Sequence, residues 1–296
     1  MENNQKVIVR LSGGMGNQLH QYAYALSLAK KFGCKVYVDK SFFKLSSKLL
    51  KITKRNYELD KFSIYAAERS FFLSNYYLFN LFNKSSFLKY ILDKYTKIHI
   101  INSRQFNNEI YQNKKIFYID GVFGAVSDYA QINSEIKTLF IPHPQYKNLL
   151  PKINQLINKS NSVAVHIRRT DYLDRNSGHE VLSIAYYKEA MNFINEKAAE
   201  PTFYFFGDDE GWIRDNFISL NDQKKIFINF KDTPASLFDF FAIATCNHVI
   251  ISNSTFAWWA AYLNEYKSKI IIAPGKWLRN QELNLNESYP NDWHVI

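Results

Sequence analysis

An α/β protein of two domains built on parallel sheets is the fold this sequence predicts, and three observations predict it. The opening residues run strand, glycine loop, helix, strand; the second half alternates short apolar runs with amphipathic stretches; and 296 residues, 47 % of them hydrophobic, suffice for two separate cores. Alternation of this kind places helices on both faces of a parallel sheet.

Taken in order, Val7 to Arg10 is the first strand. Ser12-Gly13-Gly14-Met15-Gly16-Asn17-Gln18 follows as a loop whose glycines allow positive φ and close backbone approach, which suits a phosphate or sugar at a helix start. It matches neither the dinucleotide nor the Walker pattern, so alone it is a weak signal. A helix is expected over Leu19 to Phe32, closed by Gly33 as a C′ residue, and Lys35 to Asp39 is the second strand. Residues 40–115 read as mainly helical and irregular, and Lys115 to Ile119 returns to strand ahead of Asp120-Gly121. Ile141-Pro142-His143-Pro144 leads into a polar helix and sets the boundary near residue 150, giving domains 1–150 and 151–296. In the second, strands are expected at 162–167, 202–206, 226–228, 248–251 and 270–272, with helices near 184–197, 209–217, 234–245 and 256–264.

The net charge of +10 is uneven. Between Lys40 and Lys115 there are 15 Lys/Arg against 5 Asp/Glu, an excess equal to that of the whole chain. Aromatics accompany it, among them Tyr57, Phe62, Tyr65, Phe71 and Phe72. Such a segment can sit on an anionic membrane surface, bind nucleic acid, or be a helical subdomain with an aromatic core and solvated lysines. Nucleic acid is disfavoured because the lysine-rich segment lies apart from the arginine and hydroxyl clusters described below. No run approaches the roughly 20 apolar residues that span a bilayer, and Phe71 to Phe82 is interrupted by Asn75 and Asn80. The first strand is too short for a signal peptide's apolar core. Cys34 and Cys246 lack metal or redox spacing and read as reduced thiols, which together with these absences predicts a cytoplasmic protein, possible peripheral contact with the membrane's inner face included.

Four clusters sit at strand or helix ends of the second half. His166-Ile167-Arg168-Arg169-Thr170-Asp171 ends a strand in two adjacent fixed cations. A guanidinium's rigid fork grips a pyrophosphate bidentately, and carboxyl ends of strands are where α/β folds bind nucleotides. The two arginines are expected to diverge, one toward ligand and one toward Asp171 or backbone; a purely structural ion-pair network is the alternative. Gly207-Asp208-Asp209-Glu210 precedes a helix carrying Trp212, and one of its aspartates is expected to cap that helix rather than hold a metal. Asp239 lies among aromatics in Leu237-Phe238-Asp239-Phe240-Phe241, and a buried carboxylate needs donors. Ser252-Asn253-Ser254-Thr255 joins a strand to a helix and forms an uncharged anion nest.

Over nearly its whole length the chain resembles glycosyltransferase family 11, the α-1,2-fucosyltransferases. The resemblance rests on Gly13 to Gln18 with Tyr22-Ala23, the His166-to-Tyr172 motif, Gly207-Asp208-Asp209 with Trp212, Asn253 to Ala260, Ala273-Pro274 with Trp277, and Asp292-Trp293. The arginine motif is also similar to that of α-1,6- and protein O-fucosyltransferases. What the resemblance implies is a GT-B fold of two facing Rossmann-like domains, the second holding GDP-fucose and the cleft holding a galactose-type acceptor of a surface glycan such as an O-antigen, free or lipid-linked, with no metal or other cofactor. Arg168 would grip the phosphates with Arg169 in support; His166 and Asp239 would read the guanosine; Asn253, Ser254 and Thr255 would meet the pyrophosphate; Gly14, Asn17 and Gln18 would approach the donor from the other domain. Asp171, Asp174 and Glu180 follow the motif as candidates for a general base, Asp171 doubling as an arginine's partner. Two departures stand out: Gly121 to Ser127 replaces an aromatic-Gln segment, and Thr170 stands where bacterial relatives commonly have glycine. A related GDP-deoxyhexose such as colitose is the alternative donor.

Overall fold

The computed structural model describes residues 5–44, 55–69, 85, 94–95, 97–102, 114–157, 161–218, 224–228 and 235–296. The chain divides into two compact units, Met1–His143 and Pro144–Ile296.

The first unit opens with β1 (Lys6–Arg10), α1 (Met15–Phe32) and β2 (Lys35–Asp39). It continues through β3 (Ala67–Glu68), β4 (Ile98–Ile101), β5 (Ile116–Ile119) and α2 (Asn133–Leu139). Among the described residues its sheet has the order β3-β2-β1-β5-β4 with every pair parallel. Val7, Ile8 and Val9 of β1 are fully buried, as a strand covered on both faces requires. Because β2 lies on one side of β1 and β5 on the other, the order reverses between β1 and β5, and the loops after those two strands flank the crevice.

Two expectations change here. Helix α1 starts at Met15 rather than Leu19, so Gly16, Asn17 and Gln18 lie in its first turn, with Gly14 extended at the N-cap. Met15, Gly16 and Gln18 are all buried in that turn, and the Gln18 N–H donates to the Gly14 carbonyl at 3.0 Å. Gly33 closes α1 in the left-handed conformation, its N–H and that of Cys34 returning to Lys30 and Ala29, as expected. Within 40–115, expected to be mainly helical and irregular, β3 and β4 are strands. Each takes its conformation from a ladder to an existing edge, Ala67 against Tyr37 and Ile98 against Ile116, which local periodicity does not reveal. Much of that basic segment, including the Phe71 to Phe82 run, lies outside the described residues.

The second unit comprises α3 (Leu149–Leu156), β6 (Ser162–Ile167), α4 (Ile184–Lys197), β7 (Thr202–Gly207), α5 (Glu210–Phe217) and β8 (Lys224–Phe227). Then follow α6 (Ala235–Thr245), β9 (His248–Ile250), α7 (Thr255–Tyr262), β10 (Ile271–Ala273), α8 (Leu285–Ser288) and β11 (His294–Val295). The sheet order is β11-β10-β9-β6-β7-β8, again all parallel. The chain runs outward from β6 to β8, returns, and runs outward the other way from β9. The switch point therefore falls between β6 and β9, whose following loops carry the arginine motif and Ser252 to Thr255. Every residue of β6 is buried, and Phe203, Phe205, Tyr187 and Met191 pack against it in one apolar cluster. Edge strand β11 has no counterpart in the sequence expectations; at two residues it is too short for a periodicity signal. Among the described residues no helix is long and apolar enough to cross a membrane.

Candidate active site

At the C-terminal edge of β6 and β7 the structure assembles four charged residues that the sequence presents in two separate clusters. Gly207 makes this possible. A Cβ there would stand 2.6 Å from the Ile167 carbonyl oxygen and 2.7 Å from Ile213 Cδ1, so only glycine lets the end of β7 lie against the end of β6. The next residue, Asp208, consequently reaches the arginine loop. Its Oδ1 accepts from the Arg169 backbone N–H at 2.9 Å, its Oδ2 accepts from Thr170 Oγ1 at 2.6 Å, and Arg168 Nη1 lies 3.1 Å from Oδ2. Asp209 instead caps α5, accepting from the Trp212 N–H at 3.2 Å, and its other oxygen takes Arg169 Nε at 3.3 Å. The expected cap is thus Asp209, while Asp208 organises the arginine loop. Thr170, the departure noted above, supplies one of the bonds that hold it.

The two arginines do diverge. Arg169 lies over the Trp212 ring, 4.0 Å from guanidinium carbon to centroid, and is mostly buried against Asp209, a supporting position. Arg168 turns the other way, with Nη2 2.6 Å from Asp171 Oδ2 and 28 % of its side chain exposed. The arginine available to ligand is therefore also the one paired with Asp171, whereas the sequence reading gave these roles to different arginines. Its partners hold it charged at any working pH.

Across the switch point, Ser254 sits at the N-cap of α7 in extended conformation, and its hydroxyl makes no cap hydrogen bond to the helix. With Thr255 it opens the first turn of α7 at the same sheet edge as Arg168. Asn253 has a different task. Its Nδ2 donates to the Glu180 and Trp277 carbonyls, both at 2.8 Å, and its own carbonyl accepts from Tyr172 Oη at 3.0 Å. One buried side chain and its backbone thus tie together the loops after β6, β9 and β10, so Asn253 shapes the site. Arg279, which the sequence reading did not single out, adds to this clamp through the Tyr172 carbonyl at 2.9 Å.

His166 is buried, its Nδ1 is 2.8 Å from Ser252 Oγ, and its ring lies 5.7 Å from that of Phe256. Burial, and secondarily Arg168, press its pKa down to about 4, so it is neutral near pH 7. Asp239, on α6 beside Phe240, whose ring is 5.4 Å from Phe256, is half-buried. Among the described residues none donates a hydrogen bond to it, and burial pushes its carboxyl up to about 7. Of the remaining acids, Asp174 caps a turn through the Asn176 N–H at 2.9 Å, and Glu180 pairs with Lys276 at 3.3 Å.

In the first unit, Gly14 is open: a Cβ there would meet nothing within 4 Å. Gly13 needs its positive φ of 72°, and Asn17 packs over it, since a Cβ on Gly13 would stand 2.6 Å from Asn17 Nδ2. Gln18 is fully buried. Its Nε2 donates to the Gly13 and Asn56 carbonyls at 3.0 and 2.8 Å, and its Oε1 accepts from the Glu58 N–H at 2.9 Å. It braces the glycine loop against residues 56–58. The sequence reading passed over Arg10, Asp39 and Asp120, which end β1, β2 and β5. Arg10 pairs with Asp120 at 3.0 Å; Asp39, fully buried, accepts from the Ser41 N–H at 2.8 Å and Tyr118 Oη at 2.7 Å. Each is a charged residue at the end of an apolar strand, the signal that located Arg168.

Comparison with known proteins places this geometry. The family model described as Glycosyl transferase family 11 matches residues 2–296. Over 291 residues the chain is 30 % identical to the Escherichia coli O-antigen biosynthesis glycosyltransferase WbnK, covering 90 % of this chain and 93 % of that one. It is 28 % identical to an Escherichia coli alpha-1,2-colitosyltransferase, covering 97 % of both. A mutant of Arabidopsis thaliana FUT1 solved in complex with GDP superimposes with a TM-score of 0.58 at 10 % identity, over 91 % of this chain and 70 % of that one, and bears out the GT-B fold class. The matched length and the motifs at the two strand ends agree: the chain belongs to glycosyl transferase family 11.

Proposed function

We propose that the protein transfers L-fucose from GDP-β-L-fucose to the 2-hydroxyl of a galactose-type residue, with inversion, building an α-1,2 linkage into a surface glycan such as an O-antigen. One observation carries the donor class. At a single switch point the second unit sets out a guanidinium fork, a helix start whose cap hydroxyl is not used by the helix, and nearby a carboxylate to which none of the described residues donates. These match the phosphates of a nucleoside diphosphate and the two N–H groups on a guanine edge. That a structurally similar protein was solved with GDP supports the reading.

In this reaction the acceptor oxygen forms a bond to sugar C1 as the C1–phosphate oxygen bond breaks, GDP leaves with the electron pair, and the hydroxyl proton passes to a base. Negative charge grows on the leaving phosphate. Arg168 and the α7 amides meet it where it develops, and losing one such contact typically costs about 3 kcal/mol or more. The same fixed cations make the chemistry independent of a divalent metal, since Asp208 and Asp209 are already engaged by arginines and backbone. The acceptor is presented on the cytoplasmic side, with the basic segment resting on anionic lipid.

A second donor has a specific observation in its favour: the colitosyltransferase is matched end to end. Colitose is also a deoxyhexose carried on GDP, so the same phosphate and base contacts serve it. Purified enzyme offered GDP-fucose, GDP-colitose and GDP-mannose, with donor consumption and acceptor product both followed, decides. Turnover with GDP-fucose alone supports the first reading and turnover with GDP-colitose alone the second; steep, salt-sensitive RNA binding with no affinity for GDP would sink both.

A further inference from the structure

The acids that follow the two arginines are each engaged: Asp171 with Arg168, Asp174 with the Asn176 N–H, and Glu180 with Lys276. The same loop carries one more proton acceptor, His179. Its backbone is fixed. The His179 N–H donates to Ser177 Oγ at 3.3 Å, and an antiparallel bridge pairs the residue with Leu278 in the loop after β10. On either side, the Gly178 carbonyl accepts from the Arg279 N–H at 3.0 Å and the Glu180 N–H donates to the Trp277 carbonyl at 2.9 Å. The imidazole stands edge-on to the Tyr172 ring, 4.2 Å between centroids. Its Nδ1 is buried without a hydrogen-bond partner among the described residues, and none of them bonds to Nε2. Most buried ring nitrogens have a partner, so this imidazole is held by its backbone and its neighbour's ring while its own polar groups stay uncommitted.

Its place relative to the phosphate grip follows from the same aromatic ring. The Arg168 guanidinium carbon lies 5.9 Å from the Tyr172 centroid, so, laid end to end, the two distances put it at most about 10 Å from the imidazole centre. A phosphate about 4 Å beyond a guanidinium, an attacking oxygen about 3–3.5 Å from the reacting carbon and a base about 3 Å from that oxygen together reach roughly 10 Å. His179 lies inside that radius. We propose that His179 is the general base of the transfer, taking the acceptor hydroxyl's proton on Nε2 as that oxygen bonds to sugar C1. This deepens the transferase reading and rests on it. An oxygen lone pair forms the new bond, the O–H pair stays on oxygen, the C1–phosphate pair leaves with GDP, and the imidazolium afterwards gives its proton to water. Nε2 takes the proton because Nδ1 is sealed from solvent. The charges that act on the ring are Asp171 and Arg168 from the loop after β6 and Arg279 from the loop after β10. Burial lowers its pKa from the ordinary 6.5; Asp171 opposes that shift and the two arginines add to it, so the ring is neutral and able to accept near pH 7. As the imidazolium forms, the Asp171 charge favours it.

Steady-state kinetics at saturating donor test this, with GDP-fucose and GDP-colitose as donors and methyl β-galactoside as acceptor. Saturation keeps Asp239, which acts on donor binding, out of kcat. Wild-type kcat is expected to be level at neutral pH and to fall about tenfold per pH unit below the His179 pKa, because the protonated ring cannot accept. His179→Ala and His179→Gln are expected to lose that acid limb and about 10²- to 10⁴-fold in kcat, while calorimetry with GDP gives affinities within about twofold of wild type. Free imidazole is expected to restore part of the alanine variant's rate, a response that a mere prop for Tyr172 does not produce. A variant with kcat within about threefold of wild type, one that keeps the acid limb, or one that loses GDP affinity along with activity overturns the assignment. Should neither variant fold, the wild-type profile decides: a kcat without an acid limb between about pH 4.5 and 8 overturns it. A wild type that turns over neither donor, or does not bind GDP, overturns instead the reading on which the assignment rests.

Discussion

Asp239 offers the sharpest quantitative prediction. Burial holds its carboxyl at about 7 in the ligand-free protein, against 3.8 for an ordinary aspartate. Only the ionised form accepts both guanine N–H groups. With a pKa of 7, about 9 % is ionised at pH 6 and about 91 % at pH 8, so a GDP-sugar is expected to bind about tenfold more weakly at pH 6. A GDP-sugar is preferable to GDP, whose terminal phosphate titrates in the same range. Asp239→Asn should abolish the pH dependence and weaken binding by about 1.5–3 kcal/mol, the usual worth of a hydrogen bond to a charged group. The same burial acts with opposite sign on stability. A carboxyl whose folded pKa exceeds its unfolded one destabilises the fold once ionised: the penalty is absent below about pH 4 and complete above pH 7. At 1.36 kcal/mol per unit over about three units it reaches at most about 4 kcal/mol. The asparagine variant should therefore melt above wild type at pH 8 and converge with it toward pH 4. Isothermal titration at pH 6 and 8, with melting curves across that range, gives both readouts. Equal affinity at the two pH values, or an asparagine variant that melts lower at pH 8, would refute the assignment of a buried, donor-starved carboxylate awaiting a base.

Other outcomes follow from the same site. Arg168→Ala should abolish transfer and GDP binding while leaving the far-UV circular dichroism and melting temperature near wild type, and Arg168→Lys should not rescue activity, because a point charge lacks the planar fork; a lysine variant with near-normal kcat/KM would contradict this. Activity should persist in EDTA, since arginines and helix-start amides supply the positive charge; loss on chelation with recovery in Mg²⁺ or Mn²⁺ would recast Asp208 and Asp209 as ligands. The protein should co-sediment with vesicles containing phosphatidylserine and less so as salt shortens the Debye length from about 10 Å at 0.1 M to about 3 Å at 1 M; equal partition to neutral and anionic vesicles would favour a solvated surface instead.

Sequence by itself determined the local elements and the chemistry at their ends. Ser162–Ile167 and Ile184–Lys197 fall where apolar runs and helical spacing predict them, because burial on a strand or a helix face imposes its period on nearby residues. Arg168 and the hydroxyl cluster at Ser254 were legible for the same reason: a charged or polar group ending an apolar strand lies at a sheet edge. What only tertiary structure decided is which ends meet. Strand order puts β9 beside β6 although 80 residues separate Ile167 from His248 in the chain, and that order creates the switch point. Gly207 admits Asp208 to the arginine loop, Gln18 spends its amide on residues 56–58, and Asn253 fastens three loops, all through contacts between residues distant in sequence. Asp239 shows the division most plainly. Its place among aromatics is written in five consecutive letters, but its charge state depends on how much water the folded surroundings leave it, and desolvation is a property of packed volume that no local pattern encodes.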